Sequence, residues 1–191
     1  MASAAQHPNT TPQEINEALT TILNTTDGMN SLIQQLLDLT EAEETTAIKH
    51  PCRADEVIQD LQLRYPRAKF TVVPGVNIAM GEASFSQIAE NLLSNAYRYT
   101  PENGAIHVTL SSHGKNAILT VTDTGVGVSS EHLPHLTKRF YRADEARTRK
   151  AGGTGLGLSI CKAILDRHNG TIHFASKVGV GTTVTVTVPL A

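Results

Sequence analysis

Asn91, Asn95, Arg98 and Tyr99 are spaced i, i+4, i+7 and i+8 within Glu90-Asn-Leu-Leu-Ser-Asn-Ala-Tyr-Arg-Tyr99, which places them on one stripe of a helix. The carboxamide oxygens suit a hard cation, and the guanidinium suits phosphate. Taken alone, a solvated helix face shows the same pattern. A second element, Leu119-Thr-Val-Thr-Asp-Thr-Gly-Val-Gly127, ends a predicted strand in an Asp. An ionised Asp123 only accepts hydrogen bonds, which fits an exocyclic amino group such as that of adenine. An Asp that caps a turn is the plainer alternative. A third element, Gly152-Gly-Thr-Gly-Leu-Gly157, leads into a helix, where bare amides and the helix dipole attract phosphate. Its third glycine comes one residue early for a dinucleotide fingerprint, and no P-loop is present. Between the last two elements stand Lys138, Arg139, Arg142, Arg147, Arg149 and Lys150, drawn from only 16 Lys and Arg in the chain. Glycines beside clustered cations point to a phosphate-bearing ligand.

Such residues need a framework. The chain has 191 residues, 40% hydrophobic and 18% charged, the profile of a soluble globular domain with an appendage. A core of about 150 residues buries about 70% of the surface its unfolded chain exposes, so neither disulfides nor a structural metal is required. The net charge of −2 gives no general basic field, and no nucleic-acid partner is expected. Cys52 and Cys161 stand far apart in sequence and read as reduced thiols. Neither a membrane span nor a signal peptide is expected, and the chain reads as cytoplasmic.

Residues 1–12 read as a disordered tail or an appended remnant. A long helix is predicted over 13–45, with a heptad seam at Ile15, Leu19, Ile22, Met29, Ile33 and Leu36. A stripe about 22 residues long exceeds what a compact neighbour covers, favouring an intermolecular bundle over packing on its own domain. After Pro51 the pattern predicts a helix over 53–64, strands over 68–73 and 76–80, and a helix over 83–99. Alternating strands follow at Ala105–Ser112 and Asn116–Asp123, then a long loop over 124–152 with one short helix. A helix over 154–168 and a hairpin of Thr171–Ser176 with Thr182–Val188 complete the chain.

In order and spacing, these elements resemble the catalytic and ATP-binding domain of the sensor histidine kinases. Asn91-x-x-x-Asn95-x-x-Arg98-Tyr99 resembles the family's N box, and Asp123-x-Gly125-x-Gly127 its first glycine box. Lys138-Arg-Phe-Tyr-Arg142 resembles the F box, and Gly153-x-Gly155-Leu156-Gly157 the second glycine box. The resemblance covers 46–190. It implies a Bergerat-type α/β sandwich, a mixed sheet with helices on one face, preceded by the long α-helix. The implied domains are 13–45, part of a dimerisation stalk, and 46–191, the catalytic domain.

Carried over, the resemblance implies that ATP or ADP binds together with Mg²⁺, the ion being held by Asn95. Asp123 would accept from the adenine amino group, with Gly125 and Gly127 allowing close approach. Asn91, Arg98 and Tyr99 would flank the nucleotide, while Gly153, Gly155, Leu156 and Gly157 present amides to its phosphates. Arg142 would reach the γ-phosphate, and Thr183 would touch the adenine pocket from the closing strand. Separately, the six cations of 129–152 repel one another and lack a hydrophobic period, which predicts a mobile lid ordered by the nucleotide, with Phe140 as its apolar anchor and a nucleotide-site residue.

Asn91 departs from the hydrolytic relatives, which carry a Glu there to activate water. A carboxamide is a poor base, so transfer is favoured over hydrolysis. Residues 22–44 resemble the second helix of a dimerisation domain. The predicted stalk helix contains no histidine, so the acceptor His is expected elsewhere in a longer kinase. The implied partners are a His-bearing dimerisation domain, a response regulator and a second copy paired through 13–45, with the parent anchored in a bacterial inner membrane. A gyrase-like or chaperone-like ATPase and a nucleotide-binding scaffold without catalysis are the alternatives. His132 and His135 share one helical face beside Glu131 but lack a third ligand, and no metal is expected there.

Overall fold

A computed structural model describes residues 51–143 and 154–191. The expected tail over 1–12, the stalk helix over 13–45, the 144–152 part of the lid and Gly153 lie outside the described residues.

Strand β1 (Cys52–Arg53) leads into helix α1 (Ala54–Arg64), followed by β2 (Ala68–Val72) and β3 (Asn77–Ile78). Helix α2 (Glu82–Tyr99) precedes the hairpin of β4 (Ile106–His113) and β5 (Asn116–Asp123). After a 3-10 turn at Leu133–His135 come α3 (Gly157–Arg167), β6 (Thr171–Lys177) and β7 (Gly181–Pro189) among the described residues. The main sheet runs β2-β4-β5-β7-β6. It is mixed, since β2 and β4 pair parallel and the remaining neighbours antiparallel.

Alternation along the strands separates two faces. Ile106, Val108, Leu110, Ala117, Leu119, Val121, Val186 and Val188 are buried on the inner face. The intervening positions, among them Thr71, Thr109, Thr120 and Thr185, stay exposed or half-buried on the outer one. The helices carry apolar residues three and four apart: Val57, Ile58 and Leu61 on α1, Phe85, Ile88, Leu92 and Leu93 on α2, and Ile160, Ile164 and Leu165 on α3. All join the inner sheet face in one cluster, so the three helices cover one face, as the resemblance implied. Truncating a fully buried side chain such as Leu93 to Ala would cost about 2–5 kcal/mol.

The expected boundaries shift where tertiary pairing decides them. β3 is only Asn77–Ile78 because its partner, β1, pairs two residues. α3 begins at Gly157 rather than near Thr154, because Leu156 N–H turns back to Thr154 Oγ1 at 3.3 Å. The C-terminal turn of α2 is clamped from β2. Tyr97 Oη accepts from the amides of Arg67 and Ala68 at 2.7 and 3.1 Å. The Arg67 guanidinium lies 4.9 Å from the Tyr97 ring centroid and donates to Thr100 O at 3.2 Å. This clamp fixes the end of α2 that carries Arg98 and Tyr99.

Candidate functional site

The polar stripe of α2 emerges from the core where the start of α3 meets it. Leu92, Leu93 and Ala96 are buried, Asn91 and Asn95 half-buried, and Arg98 and Tyr99 exposed. A Cβ at Gly157 would stand 3.0 Å from Asn91 Oδ1, so α3 begins against this stripe. No side chain caps α3, and its first amides lack intrahelical partners, which leaves donors and the positive end of the dipole for an anion. The Cys161 thiol beneath this stripe donates to Ile88 O at 3.9 Å, and its pKa is pushed up to about 12, chiefly by burial. Glu90 is held by Arg64 of α1 at 2.5 Å, on a different side of α2 from Asn91.

Asp123 closes β5 half-buried. Its Oδ1 accepts from Gly125 N–H at 2.8 Å and from Thr182 N–H at 3.3 Å, and Oδ2 takes no bond from the described residues. Burial raises its pKa, and the two amide bonds oppose that rise. The turn after it is wedged between two other elements. A Cβ on Gly125 would lie 2.4 Å from Tyr99 O, and one on Gly127, at φ +67°, would lie 2.1 Å from Lys177 O. Val126 donates to Tyr99 O at 3.2 Å and accepts from Gly179 at 2.8 Å. Ser176 Oγ accepts from Val128 N–H at 2.8 Å and donates to Gly181 O at 2.9 Å. The end of α2, the glycine turn and the β6–β7 tip thus form one wall.

Thr183 does not stand on that wall. Strand register pairs Asp123 with Thr182 and Thr122 with Thr183. Thr183 Oγ1 meets Thr122 Oγ1 at 3.2 Å on the outer face, while Thr182 lies beside Asp123. Thr182 and Ser176 are the members sequence reasoning missed, and the parity of β7 against β5 is the signal that finds Thr182. Leu156 also moves. Its side chain is fully buried and its amide is turned to Thr154, so it is core rather than ligand-facing.

On the basic loop, Phe140 N–H donates to Gly155 O at 3.0 Å. Its ring is 60% exposed and its φ is +61°, so the backbone docks the loop and the ring is no apolar anchor. Arg142 is half-buried, and its Nε and Nη2 are buried without a hydrogen-bond partner among the described residues. A hollow of about 350 Å³ lined by Cys52, Arg53, Glu56, Val57, Asp60 and Glu82 lies at the other end of α2. Its three carboxylates would repel a polyphosphate, so we place the site at the α2–α3–β5 junction instead. Among the described residues there is no group of three or more His, Cys, Asp or Glu side chains that could hold a metal. No helix among them is long and apolar enough to cross a membrane.

Residues 80–191 match the model of the family described as histidine kinase-, DNA gyrase B- and HSP90-like ATPase. Sensor protein SrrB of Staphylococcus aureus (strain N315) is 33% identical over 94% of this chain and 33% of its own length. Sensor histidine kinase RppB of Synechocystis is 33% identical over 93% of this chain and 41% of its own length. The chain therefore spans between a third and two fifths of these relatives. Among solved structures, full-length ShkA in complex with AMPPNP superposes with a TM-score of 0.76 at 23% identity, covering 96% of this chain and 40% of that one. The histidine kinase domain of the E. coli osmosensor EnvZ gives 0.57 at 27% identity, covering 78% of this chain and 92% of that one.

Proposed function

Since the chain belongs to the histidine kinase-, DNA gyrase B- and HSP90-like ATPase family, on its sensor histidine kinase branch, we propose that it binds Mg-ATP and transfers the γ-phosphoryl group to a histidine of a dimerisation domain. The observation that carries this reading is Arg142, whose buried Nε and Nη2 lack partners. A buried, unsatisfied polar group costs about 1–3 kcal/mol, and a charged one more. A guanidinium kept that way, on a turn bonded through Phe140 N–H to Gly155 O two residues before α3, calls for an anionic partner, and in this reading a terminal phosphate supplies it.

In this reading Asp123 Oδ2 accepts from the adenine amino group, with Oδ1 already committed to Gly125 and Thr182. Gly125 and Gly127 leave room for the base, and Arg98 and Tyr99 flank the nucleotide. The amides of Gly155, Gly157 and the first turn of α3 take the phosphates, with Arg142 on the terminal one. Asn95 would hold Mg²⁺, and Asn91, one turn before it, would flank the nucleotide. One protein oxygen suits this ion, which keeps several waters and binds largely through phosphates. When bound, Mg²⁺ neutralises charge on the phosphate oxygens. This chain's contribution is positioning and charge stabilisation.

Asn91 stands where a water-activating carboxylate would be needed, and Glu90 is tied to Arg64. Among the described residues the site has no positioned base for water, which favours transfer to an amino-acid acceptor over hydrolysis. The acceptor domain, a response regulator as the next acceptor, pairing through 13–45 and a membrane-anchored parent complete the proposal. Incubating the 191-residue chain with γ-labelled Mg-ATP and a separate His-bearing dimerisation domain should place acid-labile label on that domain. Rapid phosphate release without labelling would sink the reading in favour of an ATPase.

A further inference from the structure

The F-box turn that carries Arg142 is held from one side by residues that the resemblance assigns no role. His132 Nδ1 and Tyr141 Oη share a hydrogen bond of 2.7 Å. The His135 ring meets the same tyrosine edge-on, with centroids 5.5 Å apart. His132 is itself seated, since its amide donates to Ser129 O at 3.0 Å and its Nε2 lies 3.7 Å from the Glu131 carboxylate. Tyr141 stands between Phe140, pinned at φ +61° by its amide bond to Gly155 O, and Arg142. Among the described residues Arg142 Nε and Nη2 have no hydrogen-bond partner, so these contacts, together with the Tyr141 N–H bond to Lys138 O at 3.2 Å, hold the turn on the described side.

The geometry assigns to His132 a positioning role: through Tyr141 it holds the Phe140–Arg142 turn so that the Arg142 guanidinium stands where a terminal phosphate arrives. The inference rests on reading the site as one for ATP. His132 touches neither nucleotide nor metal in that reading. It preorganises the arginine, as a supporting residue must if a site is to be held within about 0.5 Å of its working geometry. The bond survives either assignment of the imidazole proton, because a tyrosine hydroxyl both donates and accepts.

The consequence is selective. A loosened Arg142 costs affinity for a triphosphate and spares a diphosphate, which ends before the arginine. Calorimetry with Mg-ATP and Mg-ADP on the full chain should show His132→Ala weakening ATP about two- to tenfold, the worth of one hydrogen bond, with ADP unchanged. Tyr141→Phe, which keeps the ring and protects against an unfolded variant, should do the same. The double variant should be no weaker than either single one, because the two side chains act as one unit. His132→Asn, which presents a polar atom near the Nδ1 position, should restore most of the loss. Equal losses for ATP and ADP, or additive losses in the double variant, would overturn the assignment.

A second measurement is independent of nucleotide. Hydrogen exchange over residues 138–142 in the ligand-free chain should rise in His132→Ala and Tyr141→Phe and not in His132→Asn. Unchanged exchange defeats the positioning role whatever the calorimetry gives. Failure of the wild-type chain to bind ATP or ADP at all would instead defeat the reading of the site, with the exchange result still deciding whether His132 holds the turn.

Discussion

On the proposed reading, Asp123→Asn separates two jobs assigned to different oxygens of the aspartate. Oδ1 accepts from Gly125 and Thr182 at 2.8 and 3.3 Å, and a carboxamide oxygen can keep both bonds. Truncation to Ala would strand those two amides and confuse folding with binding. The Asn variant instead replaces Oδ2 with an NH₂ group, a donor facing the adenine amino donor. Losing an acceptor that is charged costs about 1.5–3 kcal/mol, or roughly ten- to 150-fold in ATP affinity. The same NH₂ can donate to the carbonyl that guanine carries in that place, so the preference for ATP over GTP should shrink from both sides. Stability offers a second reading on the same protein. Burial raises the Asp123 pKa above the ordinary 3.8, so the folded chain binds this proton more tightly than the unfolded chain. The wild type therefore loses stability as pH rises from the ordinary carboxylate value through the raised one. Urea unfolding against pH should show the variant gaining on the wild type across that window and holding its gain above it. Calorimetry that finds ATP affinity within twofold of wild type, or equal losses for ATP and GTP, would refute the assignment of Oδ2.

The remaining expectations test the surroundings. Asp55, buried and bonded to Arg53 and to Gly75 N–H, has its pKa held down to about 2, chiefly by the Arg53 hydrogen bonds. Its stabilising effect is full above the ordinary carboxylate value and lost as pH falls toward about 2; Asp55→Asn should lower stability at neutral pH and flatten that acid limb in denaturant titrations. Glu90→Gln removes the pair with Arg64 and should cost no more than about 1 kcal/mol, with ATP turnover unchanged; a collapse of turnover would make Glu90 the base instead. Gly127→Ala forces a side chain into a φ of +67° and against Lys177 O; the left-handed backbone alone costs about 1–2 kcal/mol. Its unfolding midpoint and its ATP affinity should fall together, and a normal midpoint would show that the hairpin tip yields.

Legibility in the sequence followed the range of the interaction. Period-two alternation over 106–113 and 116–123 located β4 and β5 to within a residue, because inner-face burial acts on each residue separately. The N-box stripe was equally plain, since helical spacing alone puts Asn91 and Asn95 on one side. What alternation cannot supply is parity between strands distant in sequence. Thr182 and Thr183 differ only in which faces Asp123, and the β5–β7 register decides it. Leu156 shows the same limit: a residue between two glycines of a phosphate loop is also the first apolar residue before α3, and burial claimed it. Phe140 read as the apolar anchor of a charged stretch, yet here the backbone docks and the ring does not.

The glycines of this site are conspicuous in sequence because of what they lack, and for the same reason they conceal their partners. Gly125 is small for Tyr99 O, Gly127 for Lys177 O, and Gly157 for Asn91 Oδ1. Two of those three partners are backbone atoms, which carry no side-chain signature and can be found only by folding the chain. The motif therefore announces a close approach without saying to what. The answer is that each glycine joins two elements: α2 to the β5 turn, the turn to the β6–β7 tip, and α2 to α3. The nucleotide wall is consequently stiff wherever backbone meets backbone. The Arg142 turn is different in kind, because the side-chain contacts of Tyr141 hold it together with the backbone bonds of Phe140 to Gly155 O and of Tyr141 to Lys138 O. Stiffness at the base end and a hold that leans on side chains at the phosphate end suit the proposed site, which would grip adenine throughout and adjust where the phosphoryl group leaves.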